Sequence, residues 1–188
     1  AYRRQRQMCI RDRLDDTRPD ALVNLAYYFD WFQAEAVSEQ RLASQERSVE
    51  RLAELCQHHN IILLQPSSYR VFDGSRATPS GDKGEPVPLG LRGQALWRIE
   101  QSVRATCPQH VLLRFGWVLD DSIDGVLGRF LTRAETAREL LLADDRRGNP
   151  TPVDDAARVI LSVLKQLDCA APLLSLIHIS EPTRRRGI

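Results

Sequence analysis

The stretch Ile61-Ile62-Leu63-Leu64 decides the fold class of this chain. It is a continuous apolar run without alternating polar residues, so the strand it predicts is apolar on both faces. Such a strand belongs inside a parallel sheet that helices cover on both sides. Two further runs of strand length, 21–26 and 111–115, are also apolar. These three runs are the predicted strands.

Helical patterns separate the predicted strands. Four segments carry apolar side chains at helical spacing. Their bounds are 33–58, 91–106, 123–134 and 151–167. Thr151 is predicted to cap the last helix, with Pro152 at its first helical position. The alternation of strands and helices predicts an α/β fold with a doubly wound parallel sheet. The Gly-, Pro- and Ser-rich stretch 67–90 is predicted to be a long functional loop.

The composition fits one soluble domain. The chain has 188 residues, of which 43% are hydrophobic and 27% are charged, as is usual for an α/β or α+β domain. No apolar run approaches the roughly 18–20 residues that a membrane-spanning helix needs. We therefore expect no membrane partner.

The two ends of the chain resemble translated sequencing-adapter arms. Residues 3–13 read RRQRQMCIRDR and residues 174–184 read LSLIHISEPTR. We expect 1–13 and 174–188 to be non-native, and 14–173 to be the natural part. Without the ends the chain has 18 basic and 23 acidic residues, so its net charge is −5 rather than the +1 of the full chain. A nucleic-acid partner is therefore not expected.

The cysteines indicate reduced thiols. Residues 14–173 contain Cys56, Cys107 and Cys169 and no secretory signal. An odd count in such a chain predicts a cytoplasmic protein. Cys56-x-x-His59 and Cys107-x-x-His110 have zinc-like spacing. Both pairs are expected at helix C-termini, on the edge away from the ligand edge of such a sheet, so no metal site is predicted.

Five segments together resemble a known family. They are VNLA from Val23, LLQPSSYRVFDG from Leu63, PLGLRGQALWRIE from Pro88, LLRFGWVL from Leu112 and DDRRGNPTPVDDAARVI from Asp144. In this order they resemble the extended short-chain dehydrogenase/reductases, in particular the dTDP-4-dehydrorhamnose reductase branch, which binds sugar nucleotides. The resemblance implies a Rossmann-like sheet whose N-terminal strands are missing here. It also implies that 14–173 is a partial NAD(P)-binding domain with the start of the substrate-binding region.

The family transfers hydride from NADPH or NADH to a sugar keto group. A Tyr donates the proton, a Lys four residues later lowers the Tyr pKa, and a Ser or Thr orients the carbonyl. The resemblance places Ser68 at the Ser/Thr position, Arg92 at the Tyr position and Leu96 at the Lys position. Arg cannot donate a proton at ordinary pH, and Leu has no charge. The proton-transfer residues are therefore predicted to be lost.

The resemblance also assigns binding residues. Its cofactor-binding residues are Asn24, Ala26 and Ser67, and its substrate-binding residues are Arg114, Trp117, Asn149, Pro150 and Thr151. Simpler structural roles stay open at this point. Ser67 and Ser68 could cap the strand end, Arg114 could pair with a nearby acid, and Trp117 could belong to the core. The phosphate-binding loop of the family is not in this chain.

Two functional interpretations follow. The first is a sugar-nucleotide-binding relative of NAD(P)-dependent dTDP-4-dehydrorhamnose reductase that is catalytically weak or inactive. The alternative is an active NAD(P)H-dependent reductase or epimerase of a nucleotide sugar. Both take NADP or NAD as cofactor and a nucleotide sugar as ligand, and both leave open a homodimer or a regulatory partner protein.

Overall fold

The computed structural model describes residues 2–26, 38–75, 84–120, 122, 125–141 and 148–167, without the side chains of 2–9 and 126. Predictions for 33–37, for Cys169 and for the C-terminal segment 174–188 lie outside the described residues. The helices are α1 Tyr2–Thr17, α2 Glu39–His59, α3 Leu91–Thr106, α4 Val126–Thr136 and α5 Val153–Leu167. The strands are β1 Ala21–Val23, β2 Ile62–Ser68, β3 His110–Phe115, β4 Trp117–Leu119 and β5 Pro150–Pro152.

The strands form two parallel sheets. The first has the order β1-β2-β3, with Val23 opposite Leu64 and Ser67 opposite Arg114. The second pairs β4 with β5 and sets Trp117 opposite Pro150. The predicted parallel α/β architecture is therefore confirmed. Strand β2 continues beyond the predicted apolar run 61–64 and ends at Ser68. The long loop predicted at 67–90 therefore begins only after Ser68.

Pro66 lies within the central strand, where proline is normally excluded because it lacks an N–H. The Leu64 carbonyl accepts the Asn24 N–H at 3.0 Å. Two residues later, the Pro66 nitrogen faces the same side of β2, just past the last paired residue of β1, Val23. The missing N–H therefore falls where the ladder between β1 and β2 ends.

The sheet separates two apolar clusters, which explains the continuous run in β2. Leu63 packs with Val49 and Val103 of the α2 and α3 layer. Leu64 packs on the other face with Ala156 and Val163 of α5. Adjacent strand residues point to opposite faces, so both faces of β2 are apolar. Burying one such side chain contributes about 1.5–3 kcal/mol.

Helix α3 lies directly on the turn that follows β2. A Cβ atom added to Gly93 would lie 2.2 Å from the Arg70 carbonyl oxygen, in the 3-10 turn Tyr69–Val71. Only glycine permits this approach. The contact fixes the turn after β2 against the first turn of α3.

The start of the last helix differs from the prediction. Thr151 lies in β5 opposite Val118, and α5 begins at Val153. Thr151 was therefore wrongly predicted to cap the helix, and Pro152 ends a strand instead of occupying the first helical position. The reason is that the chain pairs with β4 before it turns into the helix.

Helix α4 leaves apolar side chains exposed. The apolar stripe of α4 includes Leu127, Phe130 and Leu131, whose exposed fractions are 40%, 40% and 51%.

Helix α1 continues through the predicted boundary at residue 13, and its Leu14 is buried in the α2 and α3 layer. No helix among the described residues is long and apolar enough to cross a membrane.

The two buried cysteines give a pH-dependent prediction. Burial, with a smaller effect of neighbouring Cys107, raises the pKa of the Cys56 thiol to about 12. Burial also raises the pKa of Cys107. We expect both thiols to resist iodoacetamide at pH 8 in the folded chain and to react rapidly in urea, as measured by peptide mass spectrometry.

The same shift sets the direction of the alkaline stability change. Below the ordinary thiol pKa of 9.0 the folded and unfolded states both hold the Cys56 proton, so this group adds no pH dependence. Above it the unfolded thiol ionises first, so the free energy of unfolding is expected to fall between pH 9 and pH 12. Rapid labelling of Cys56 in the folded chain at pH 8 would contradict the buried placement.

Candidate ligand site at the carboxyl edge of the sheet

The candidate site lies where β2 and β3 end. Ligands of open parallel α/β sheets bind outside the carboxyl ends of the strands. Here β2 ends at Ser68 and leads into the turn Tyr69–Val71, while β3 ends at Phe115 and continues into β4. Most of the predicted site residues are on or next to these strand ends.

A buried ion pair joins the two strand ends to α3. Arg114 donates from Nε to Glu100 Oε1 at 2.9 Å and from Nη2 to Glu100 Oε2 at 2.5 Å. Ser67 Oγ donates to the same Oε1 at 2.6 Å. The side chains of Glu100 and Arg114 are 0% and 4% exposed. This two-point arrangement is the strong form of a charged hydrogen bond.

The ion pair with Glu100 uses Nε and Nη2 of the Arg114 guanidinium and leaves Nη1. Arg114 Nη1 is buried and has no hydrogen-bond partner among the residues that the structure describes, and the guanidinium carbon lies 5.0 Å from the centre of the Phe72 ring. The alternative that Arg114 pairs with a local acid is therefore confirmed, and the acid is Glu100. Its assignment to substrate binding stays a prediction, in which Nη1 is the available donor.

The two serines have structural partners. Ser68 is fully buried, and its Oγ accepts the Arg70 N–H at 3.4 Å. This contact caps the 3-10 turn, as the simpler interpretation proposed. Ser67 bonds Glu100 instead of the backbone. Their assignments to the sugar carbonyl and the cofactor stay predictions.

The two residues that the resemblance places at the family's Tyr and Lys positions have different surroundings. Arg92 lies in the first turn of α3 and is half-buried. Leu96, one turn later, is 1% exposed and belongs to the same apolar cluster as Val71 and Ile99. Position 96 is therefore part of the core in this chain.

Two of the predicted cofactor residues, Asn24 and Ala26, bond each other, and Asn24 also bonds Gln65 of β2. Asn24 Nδ2 donates to Gln65 Oε1 at 2.7 Å, and Asn24 Oδ1 accepts the Ala26 N–H at 3.2 Å. Gln65 Nε2 donates in turn to the Pro66 carbonyl at 2.9 Å. Asn24 and Gln65 are buried, and Ala26 is exposed.

These residues do not form a complete dinucleotide site. A pyrophosphate needs a glycine-rich turn that opens a helix, and the sequence contains no G-x-G-x-x-G. In the described residues they form a sheet edge beside Ala26. No residue of this chain is therefore assigned to the diphosphate of NADP or NAD.

The predicted substrate residues of β4 and β5 do come together. The Trp117 N–H donates to the Asn149 carbonyl at 2.8 Å, and Trp117 lies opposite Pro150. Thr151 is 6% exposed, and its Oγ1 is buried without a hydrogen-bond partner in the described part of the chain. A Cβ added to Gly116 would lie 2.2 Å from the Asn149 carbonyl oxygen, so glycine is needed for this close approach.

Tyr69 connects this second sheet to the first. Trp117 Nε1 donates to Tyr69 Oη at 2.5 Å, across 48 residues of sequence. Sequence reasoning did not assign Tyr69 to the site. The available signal was its position directly after Ser68, at the end of a strand that carries two of the predicted site residues. In the described residues no group of three or more His, Cys, Asp and Glu side chains could hold a metal ion.

The parallel strand order, the helices on both faces and the ligand edge define a Rossmann-like α/β protein. Residues 5–184 match the family described as the RmlD substrate binding domain. The chain therefore belongs to this family.

The names of curated relatives are consistent with membership of this family. The chain is 27% identical to a dTDP-4-dehydrorhamnose reductase of Sinorhizobium fredii over 167 residues, which are 88% of the chain and 56% of the relative. It is also 27% identical to a dTDP-4-keto-6-deoxy-D-glucose reductase of Streptomyces niveus, with 85% and 56% covered. The chain thus spans about half the length of the curated relatives it matches.

Solved structures share the fold. A dTDP-4-dehydrorhamnose reductase of Clostridium acetobutylicum superposes with a TM-score of 0.72 at 23% identity, with 86% of this chain and 57% of that one covered. The Bacillus anthracis enzyme, solved in complex with NADP, gives 0.71 at 20% identity, with 85% and 57% covered.

The buried ion pair leads to a stability prediction. Glu100→Gln removes the carboxylate and leaves the Arg114 charge buried, so we expect the free energy of unfolding to fall by about 3–5 kcal/mol. The matched control is Glu46→Gln on the exposed pair with Arg98, whose side chains are 21% and 53% exposed. That change is expected to cost at most about 1 kcal/mol. Urea denaturation measures both, and equal losses would contradict the buried pair.

Proposed function

We propose that the complete protein is a nucleotide-sugar-binding relative of dTDP-4-dehydrorhamnose reductase that transfers hydride very slowly or not at all. Membership of the RmlD substrate binding domain family and the two named reductases support the ligand class. The observation that carries the catalytic part is the pair Arg92 and Leu96. The chain's own ligand contacts are proposed to lie at the carboxyl edge.

The proposed loss of activity follows from the lack of a residue that can donate a proton to the substrate. Reduction of a keto sugar creates an alkoxide that must be protonated as hydride arrives, and a positioned general acid contributes about 10²–10⁴-fold. The Arg92 guanidinium can stabilise negative charge, but it cannot release a proton at ordinary pH. Leu96 is buried among apolar side chains and cannot tune a phenol. Binding of the nucleotide sugar requires neither the protonation of the alkoxide nor the lowering of a tyrosine pKa.

Ligand binding is proposed to use the polar groups left available near the edge. Within the described ranges, Arg114 Nη1 and Thr151 Oγ1 are buried donors without a partner. A buried donor that lacks a partner is stabilised when a ligand oxygen accepts its hydrogen bond. The adjoining side of the proposed ligand site consists of Trp117, Asn149 and Pro150. NADP or NAD is the proposed cofactor of the complete protein, and it supplies the hydride when bound. A homodimer or a regulatory partner protein stays a prediction.

An active reductase or epimerase is the second candidate. The observation that favours it is the hydroxyl of Tyr69, directly after Ser68 at the end of β2. A phenol beside the serine of the family pattern could replace the lost acid. This candidate predicts measurable turnover without any change at Arg92.

Two measurements test the proposal. With the 188-residue chain, dTDP-glucose is expected to raise Tm in proportion to the logarithm of its concentration above Kd. With a complete protein that contains this chain, oxidation of NADPH by a dTDP-4-keto sugar is expected to be about 10²–10⁴-fold slower than with the Sinorhizobium fredii relative. Turnover equal to that relative would contradict the catalytic part, and the absence of a Tm shift would contradict the binding part.

A matched pair of variants connects the rate to the site. Arg92→Tyr together with Leu96→Lys is expected to raise turnover, because it restores a phenol and a cation on α3. Arg104→Tyr, in the exposed last turn of the same helix, is expected to leave turnover unchanged. Since Leu96→Lys buries an ammonium in the core, circular dichroism must first show that the double variant is folded.

A further inference from the structure

We draw no further inference here: the strongest candidate, the exposed apolar face of α4 formed by Leu127, Phe130 and Leu131, carries no proposal because nothing in the described part of the chain shows what covers it.

Discussion

The ion pair between Glu100 and Arg114 is the constraint on which the carboxyl edge of the first sheet depends. Two opposite charges are buried at the end of β3 and against α3, and each is tolerable there only because of the other. Ser67 adds a third hydrogen bond from β2 to the same carboxylate. One cluster therefore fixes the ends of two strands and one helix relative to each other. An uncompensated charge at this place would disturb all three.

Helix α3 carries both Glu100 and the two residues, Arg92 and Leu96, that the resemblance places at the family's Tyr and Lys positions. Arg92, Leu96 and Glu100 follow one another at four-residue intervals and so share one side of α3. Glu100 binds Arg114 and Leu96 packs in the core, so this side faces the sheet. Arg92 then lies at the end of the helix nearest the 3-10 turn. The helix keeps its position through packing and the ion pair, neither of which requires a Tyr and Lys pair.

The elements that sequence predicted well are those with a strong local pattern. Helix α3 was predicted at 91–106 and is found at Leu91–Thr106, because its apolar residues recur at helical spacing. The apolar run of β2 predicted burial on both faces, and the clusters around Leu63 and Leu64 confirm it. Strands β4 and β5 have three residues each, which is too short for a periodic signal. Thr151 was therefore mistaken for a helix cap.

The sequence indicated which candidate residues lie near one another better than it indicated their hydrogen-bond partners. The residues of β4 and β5 that the family resemblance selected do lie together. The partner of Arg114 was not identified, because Glu100 is 14 residues away and many acids were available. The bond between Trp117 and Tyr69 joins residues 48 apart. Such pairs are set by the packing of separate elements, which a single sequence does not encode locally.

The central claim is that a nucleotide sugar binds across the carboxyl edge of both sheets. Hydrogen–deuterium exchange with mass spectrometry, with and without saturating dTDP-glucose, tests it most directly. The account predicts slower exchange in peptides that cover 65–72, 114–119 and 148–152, and unchanged exchange in the middle of α2. Protection confined to the opposite edge, around 58–62 and 107–110, would contradict it.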